Sequence, residues 1–370
     1  MKHLSIPRVG LCLLMSLQLG LPVGTWADIE NRDFQVQELV PALREKTTLW
    51  VLSIGVSDYQ DERIQLRYAD HDAMKIAQVM KTQVGRLFRE VFVHVLVNEQ
   101  ATRDGILSAM SRFLGQASGD DVVLIFLAGH GLRDRQTGTY YFLPYNANAE
   151  NLIFAGLSMA TFDETCRRLQ GNISKLVLWL DTCHAGAFRV GARGIKKGED
   201  LSEALAQAEG QFLLSASKAG EESYEDEKFR LRGEDQAHGA FTYSILRGFT
   251  GEAADEDGVV WISDLFSHVD MEVPRLTMGQ QHPHGQILGT NLPIFIVNDQ
   301  TAEAIAQPFS ADSSSMPPLG SSEYRQGGRR WLWWLLGATA VGGSAIIIST
   351  TKGGKQEPRT GRVDVEVKVP

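Results

Sequence analysis

Uninterrupted apolar runs alternate along this chain with stretches of helical spacing. Residues 49–56 read LWVLSIGV and residues 121–128 read DVVLIFLA; 90–97, 175–180 and 211–215 are runs of the same kind. Short runs rich in Val, Ile and Leu predict strands buried on both faces. Residues 140–143 predict a short strand, and 292–297 (LPIFIV) one that closes the series. Between the runs, Ala69, Ala73, Ile76, Ala77 and Met80 recur at helical spacing and predict a helix over 69–84. Residues 102–114, with Ile106, Met110 and Phe113 on one face, predict a second helix, and 161–169, 241–249 and 262–275 predict three more. Apolar strands alternating with amphipathic helices imply an α/β fold with a mainly parallel central sheet and helices on both faces.

All of these elements fall within one domain, 47–298. Residues 28–46 are polar and read as a helical lead-in, and 299–330, rich in Ser, Pro, Gly and Ala, read as a flexible stalk. Residues 1–27 have a basic start (Lys2, Arg8), an apolar stretch, and a small-x-small end at Thr25-Trp26-Ala27, the pattern of a signal peptide. Residues 331–351 carry no charge, are flanked by Arg329, Arg330, Lys352 and Lys355, and open with Trp331, Trp333 and Trp334. That pattern predicts a transmembrane helix anchoring the chain, with the domain outside the cytoplasm and the short basic tail 352–370 inside. Residues 361–370 alternate like a strand.

Composition adds exclusions. The net charge of −9 argues against nucleic acid as a partner, since phosphate binding needs a basic field. Three cysteines, one of them (Cys12) in the segment expected to be removed, exclude a disulfide framework and a Cys-rich zinc site.

Two predicted strands end in reactive residues. The run 121–128 leads into Gly129-His130-Gly131, and the run 175–180 into Asp181-Thr182-Cys183-His184-Ala185-Gly186. Ligands of open α/β sheets bind beyond the carboxyl ends of strands. If the two strands are neighbours, His130 and Cys183 face each other across a cleft, and an imidazole can activate a thiol for attack on a carbonyl. The flanking glycines leave backbone N–H groups for an oxyanion.

These motifs resemble the caspase-like cysteine peptidases, in the branch of metacaspases, paracaspases and their bacterial relatives. LAGHG (127–131) resembles the family's histidine motif, DTCHAG (181–186) its cysteine motif, and HGAFT (238–242) with the residues after it the C-terminal half of bacterial members. The resemblance implies an endopeptidase of the hydrolase class working through a thioester acyl-enzyme. Cys183 would be the nucleophile, His130 the acid/base, and the backbone N–H groups of Gly131 and Cys183 the oxyanion hole. Asp181 stands two positions before the Cys, and Asp72 matches a second pocket acid of the family. Both would line an S1 pocket for Arg or Lys at the residue preceding the scissile bond (P1), so the partner would be a protein or peptide substrate with a basic P1. Ala69 and Ala128 stand where some metacaspases have Cys or Ser, and Glu222 is a candidate rim acid. Relatives are often cut after the cysteine motif, and Arg189, Arg193, Lys196 and Lys197 are the candidate self-cleavage sites. Calcium dependence is not supported, because residues 187–190 read Ala-Phe-Arg-Val where some relatives have an acidic cluster.

Other candidates are weaker. Asp70-His71-Asp72 and His282-Pro283-His284 lack zinc or calcium spacing, so no metal or cofactor is expected. Asp255 to Gly258 reads as a turn, His184 as a residue shaping its loop, and Cys166 as a core residue. The alternative function is a membrane-tethered interaction or sensor module with little catalytic activity.

Overall fold

The computed structural model describes residues 38–134, 136–182, 210–218, 221 and 223–309. Residues 38–46 are helical, with Val40 and Leu43 turned into the core.

Six strands form the main sheet: β1 (Thr48–Gly55), β2 (Glu90–Val97), β3 (Gly119–Gly129), β7 (Ile173–Thr182), β8 (Gln211–Ser215) and β12 (His284–Leu288), in the order β12-β8-β7-β3-β1-β2. All neighbouring pairs are parallel except β12, which runs antiparallel along the β8 edge. The helices are α1 (Ala69–Lys81), α2 (Arg103–Arg112), the short α3 (Leu152–Ala155), α4 (Met159–Gln170), α5 (Ala240–Arg247), α6 (Ile262–Leu276) and α7 (Asp299–Ala306). Parallel neighbours need crossovers: α1 links β1 to β2, α2 links β2 to β3, and α4 lies between β3 and β7 in the chain. Strand alternation divides the interior in two. Leu49, Val51, Leu124, Val177 and Trp179 pack with α1, α5 and α6, whereas Trp50, Leu52, Ile54, Ile125 and Leu178 pack with α2 and α4. Every residue of β1 is buried, which explains why its sequence shows no polar face.

Three smaller assemblies decorate the sheet. The strands β4 (Gly131–Arg133), β5 (Tyr140–Phe142) and β6 (Leu157–Ser158) form one, β9 (Glu225–Asp226) and β10 (His238–Gly239) another, and β11 (Val259–Trp261) with β13 (Pro293–Ile296) the third.

The fold class follows the sequence reading, with three differences. The run 292–297 does not close the main sheet: it forms β13 and pairs antiparallel with β11. The sheet ends instead at β12, whose residues alternate between partly buried and exposed and so carry no continuous apolar run. The stalk expected from 299 does not start there. Asn298 accepts the Gln300 N–H, Thr301 closes a capping box, and α7 buries Ile305. Asp255 does close a turn: it accepts the Val259 N–H at 2.9 Å and the Trp261 Nε1–H at 2.8 Å.

Among the described residues no helix is long and apolar enough to cross a membrane. Residues 1–27, 331–351 and 352–370, expected to be the signal peptide, the transmembrane helix and the tail, lie outside the described residues.

Candidate active site

β3 and β7 are neighbours, as the sequence argument required. Ala128 pairs with Asp181 and Gly129 with Thr182, so both strands deliver their last residues to one edge of the sheet. Cys183 is the next residue in the chain after Thr182 and lies outside the described residues, as do His184, Arg189, Arg193, Lys196, Lys197 and Glu222.

His130 follows directly on β3, and its carbonyl accepts the Leu143 N–H at 2.9 Å. Its backbone N–H donates to the Tyr59 hydroxyl at 2.7 Å, and the Tyr59 ring tilts over the imidazole with centroids 5.2 Å apart. Its Nε2 lies 3.0 Å from the Ile64 carbonyl oxygen. A carbonyl only accepts, so Nε2 carries the proton and the basic lone pair of the neutral ring belongs to Nδ1. Ile64 ends a short 3-10 turn, Glu62–Ile64, capped by Asp61. The loop carrying it is pinned by reciprocal bonds between Tyr59 and Gln65, at 2.9 and 2.7 Å. Gly129 has φ +147, and a Cβ there would meet the Tyr59 hydroxyl at 2.8 Å, so only glycine lets the loop approach. Gly131 opens β4 and pairs with Phe142.

Beside His130 lies a small cavity lined by Leu66, Ala69, Asp72, Ala128, Gly129, Asp181, Ser223, Tyr224, Glu225 and Gly239. It brings Asp72 and Asp181 together, although 109 positions separate them in the chain. Both are buried, and a Cβ on Gly239 would lie 3.2 Å from an oxygen of each. Asp181 accepts the Thr242 hydroxyl at 3.0 Å. Burial, together with the charge of Asp72, pushes its carboxyl up to about 7. Burial also pushes Asp72 up, opposed by its bonds to His238 and to the Gly239 N–H. Ala69 and Ala128 are both part of the wall.

Sequence reasoning missed Tyr59, the Ile64 carbonyl and Glu225. Glu225, a pocket acid three positions beyond Glu222, accepts the Arg67 and Tyr68 N–H groups at 3.0 and 3.2 Å. It gave His238 a place in a motif but no role; the imidazole is fully buried between Asp72 (2.6 Å) and Glu234 (2.8 Å).

The metal-like triplet separates. Asp70 braces the loop after β1, accepting the Ser57 hydroxyl at 2.7 Å and the Asn98 amide at 2.9 Å. His282 pairs with Glu221. His71, Glu234 and His238 do approach one another within 4.8 Å, a set that could hold a cation. Both nitrogens of His238 already meet carboxylates, however, and the Lys75 ammonium lies 3.2 Å from Glu234, so a cation would have to displace a resident positive charge. Cys166 is buried in α4, and burial holds its thiol well above the usual range.

Residues 48–288 match the caspase domain of family Peptidase_C14. The chain belongs to the caspase family. Membership supports cysteine-type peptidase activity in general and protein or peptide substrates. Among solved structures the chain is similar to a Geobacter sulfurreducens protein, at 16% identity and a TM-score of 0.43, with 69% of this chain and 98% of that one covered. It is also similar to caspase-1 from Spodoptera frugiperda, at 14% identity and a TM-score of 0.41, with 68% and 91% covered. No match was found among curated protein sequences.

Proposed function

We propose that this caspase-family domain is a cysteine endopeptidase that cleaves after Arg or Lys, with Cys183 as nucleophile and His130 as acid/base. The observation that carries the reading is the meeting of Asp72 and Asp181 in a cavity beside His130. Two buried carboxylates suit a guanidinium or ammonium group, which would satisfy them in a site with little water. They would repel an acidic P1 side chain.

In this mechanism His130 Nδ1 takes the Cys183 proton while the Ile64 carbonyl holds Nε2–H and steadies the imidazolium. The thiolate attacks the scissile carbonyl, with the Gly131 and Cys183 N–H groups stabilising the oxyanion. The imidazolium then protonates the leaving amine, and the neutral ring activates water to hydrolyse the thioester. The tether to a membrane, with the domain extracytoplasmic, is proposed from the sequence of 1–27 and 331–351.

Fluorogenic peptides ending in Arg, Lys or Asp test the reading. Wild type should release fluorophore from the first two only, and Cys183→Ala from none. Preference for Asp would overturn the pocket assignment. No turnover of any peptide would favour the tethered interaction module.

A further inference from the structure

Behind the pocket the two carboxylates continue into a line of buried charge. Asp72 Oδ1 meets His238 Nδ1 at 2.6 Å, His238 Nε2 meets Glu234 Oε2 at 2.8 Å, and Glu234 Oε1 meets Lys75 Nζ at 3.2 Å. Lys75 in turn donates to the Ile305 and Gln307 carbonyls at the end of α7, at 2.6 and 2.8 Å. Asp72, Lys75, Asp181, Glu234 and His238 are all buried. Ionised carboxylates only accept, so an imidazole with one at each nitrogen needs a proton on both and is a cation. Above about pH 7, where Asp181 is ionised as well, three acids and two bases leave one net negative charge in the line, which a single cationic side chain would balance.

We propose that His238, as a buried imidazolium, is the specificity-positioning residue of the pocket: it keeps Asp72 ionised and fixed in direction for a cationic P1 side chain. It is held for that task by Glu234, Lys75 and the carbonyl end of α7. The inference rests on the basic-P1 reading above. The second Asp72 oxygen accepts the Gly239 N–H at 3.1 Å, so the carboxylate is tied at both ends before a substrate arrives. Such preorganisation spares the substrate the cost of ordering its own recognition group. Titratable groups surround the line. His71, stacked on His238 at 4.9 Å, Asp72 and Lys75 come from α1 and Glu234 from the loop before β10, while Asp181 from β7 and Glu225 from β9 lie on the pocket side of Asp72. Burial alone would lower His238, but its bonds to Asp72 and Glu234 outweigh it and raise the ring to about 9.

The test is His238→Gln in the full chain, with kcat and KM for an Arg-ending peptide measured across pH beside wild type. Gln keeps a donor for one carboxylate but has no charge, so the Gly239 N–H bond is left to oppose burial without the imidazolium, and Asp72 holds a proton more tightly than in wild type. The acid limb of kcat/KM should move to higher pH by about one unit, which is about tenfold at a fixed pH on the limb. The loss should lie mainly in KM and narrow as pH rises. Titration of Cys183 and His130 is common to both proteins, so the difference reports the pocket. A variant that merely lost structure would lose activity by the same factor at every pH. An unmoved limb, or a uniform loss, overturns the proposal. If His238→Gln does not fold, Glu234→Gln carries the same test with a smaller shift in the same direction. A wild type that ignores Arg peptides at every pH refutes the basic-P1 reading itself and this inference with it. An active wild type with an unmoved variant refutes this inference alone.

Discussion

Asp181 bears on recognition through its surroundings more than its identity. A surface aspartate is ionised throughout the neutral range, but burial and the neighbouring Asp72 hold this one near pH 7. Recognition of a cationic P1 group by the free enzyme should therefore strengthen as pH rises through 7, because the ionised form is the attracting one. The same shift has a stability consequence. A carboxyl raised in the folded state contributes stability that is complete below its unfolded value of 3.8 and is lost as pH rises through about 7. Asp181→Asn keeps the shape and the Thr242 contact but removes the charge. It should cost about 1.5–3 kcal/mol of transition-state binding with Arg peptides, the scale of a charged hydrogen bond. It should also flatten the stability loss between pH 4 and 7 seen in chemical denaturation of wild type. Unchanged kcat/KM for Arg peptides in the variant would remove Asp181 from the pocket's recognition groups.

At the scale of elements, the site depends on how closely α1 approaches β1. A Cβ on Gly55, the last residue of β1, would lie 2.2 Å from the Ala69 carbonyl oxygen and 2.8 Å from the Ala73 Cβ. The missing side chain lets the first turn of α1 sit against the strand end, and that turn carries Asp72 into the pocket. Gly55→Ala must push α1 outward. It should destabilise the domain by about 1–3 kcal/mol, the usual cost of overpacking. Because Asp72 moves with the helix, kcat/KM for Arg peptides should fall as well. A variant with an unaltered melting temperature and unaltered kinetics would show that the approach is not needed. The elements themselves were readable where burial is two-sided: 49–56 and 121–128 appear as β1 and β3 because no polar face interrupts them. β12 was not, since HGQIL is an edge strand of alternating exposure. α7 was hidden by its polar composition, although Asn298 and Thr301 at cap spacing were a legible helix start. Of the site, His130, Asp72 and Asp181 were legible through motifs. The Ile64 carbonyl was not, because a backbone acceptor placed by a loop leaves no mark in residue type. The charge line from His238 to Lys75 joins residues 163 positions apart, and no local pattern announces it.

At the scale of the molecule, the connection between β7 and β8 is where the proposed activity would turn on the chain itself. β7 ends at Thr182 and β8 starts at Gln211, and the residues between include Arg189, Arg193, Lys196 and Lys197 with Gly191, Gly194 and Gly198 among them. Such a segment has no sustained apolar pattern to bury and offers the side chains that an acidic pocket would select. A cut there would not by itself separate the two pieces. Leu176 to Leu180 pair in parallel register with Gln211 to Ser215, and Phe212 and Leu214 share the core of Val177 and Trp179. Asp72 and Asp181 would lie on the first piece, with His238 and Gly239 on the second, so the pocket would be built from both. Intact mass spectrometry of purified wild type should therefore find two fragments cut after one of the four basic residues, while Cys183→Ala stays whole. Native mass spectrometry should find the wild-type fragments still associated. A wild type that cleaves Arg peptides efficiently as one uncut chain would show that activity does not need the break. Fragments in the Cys183→Ala protein would assign the cut to another protease.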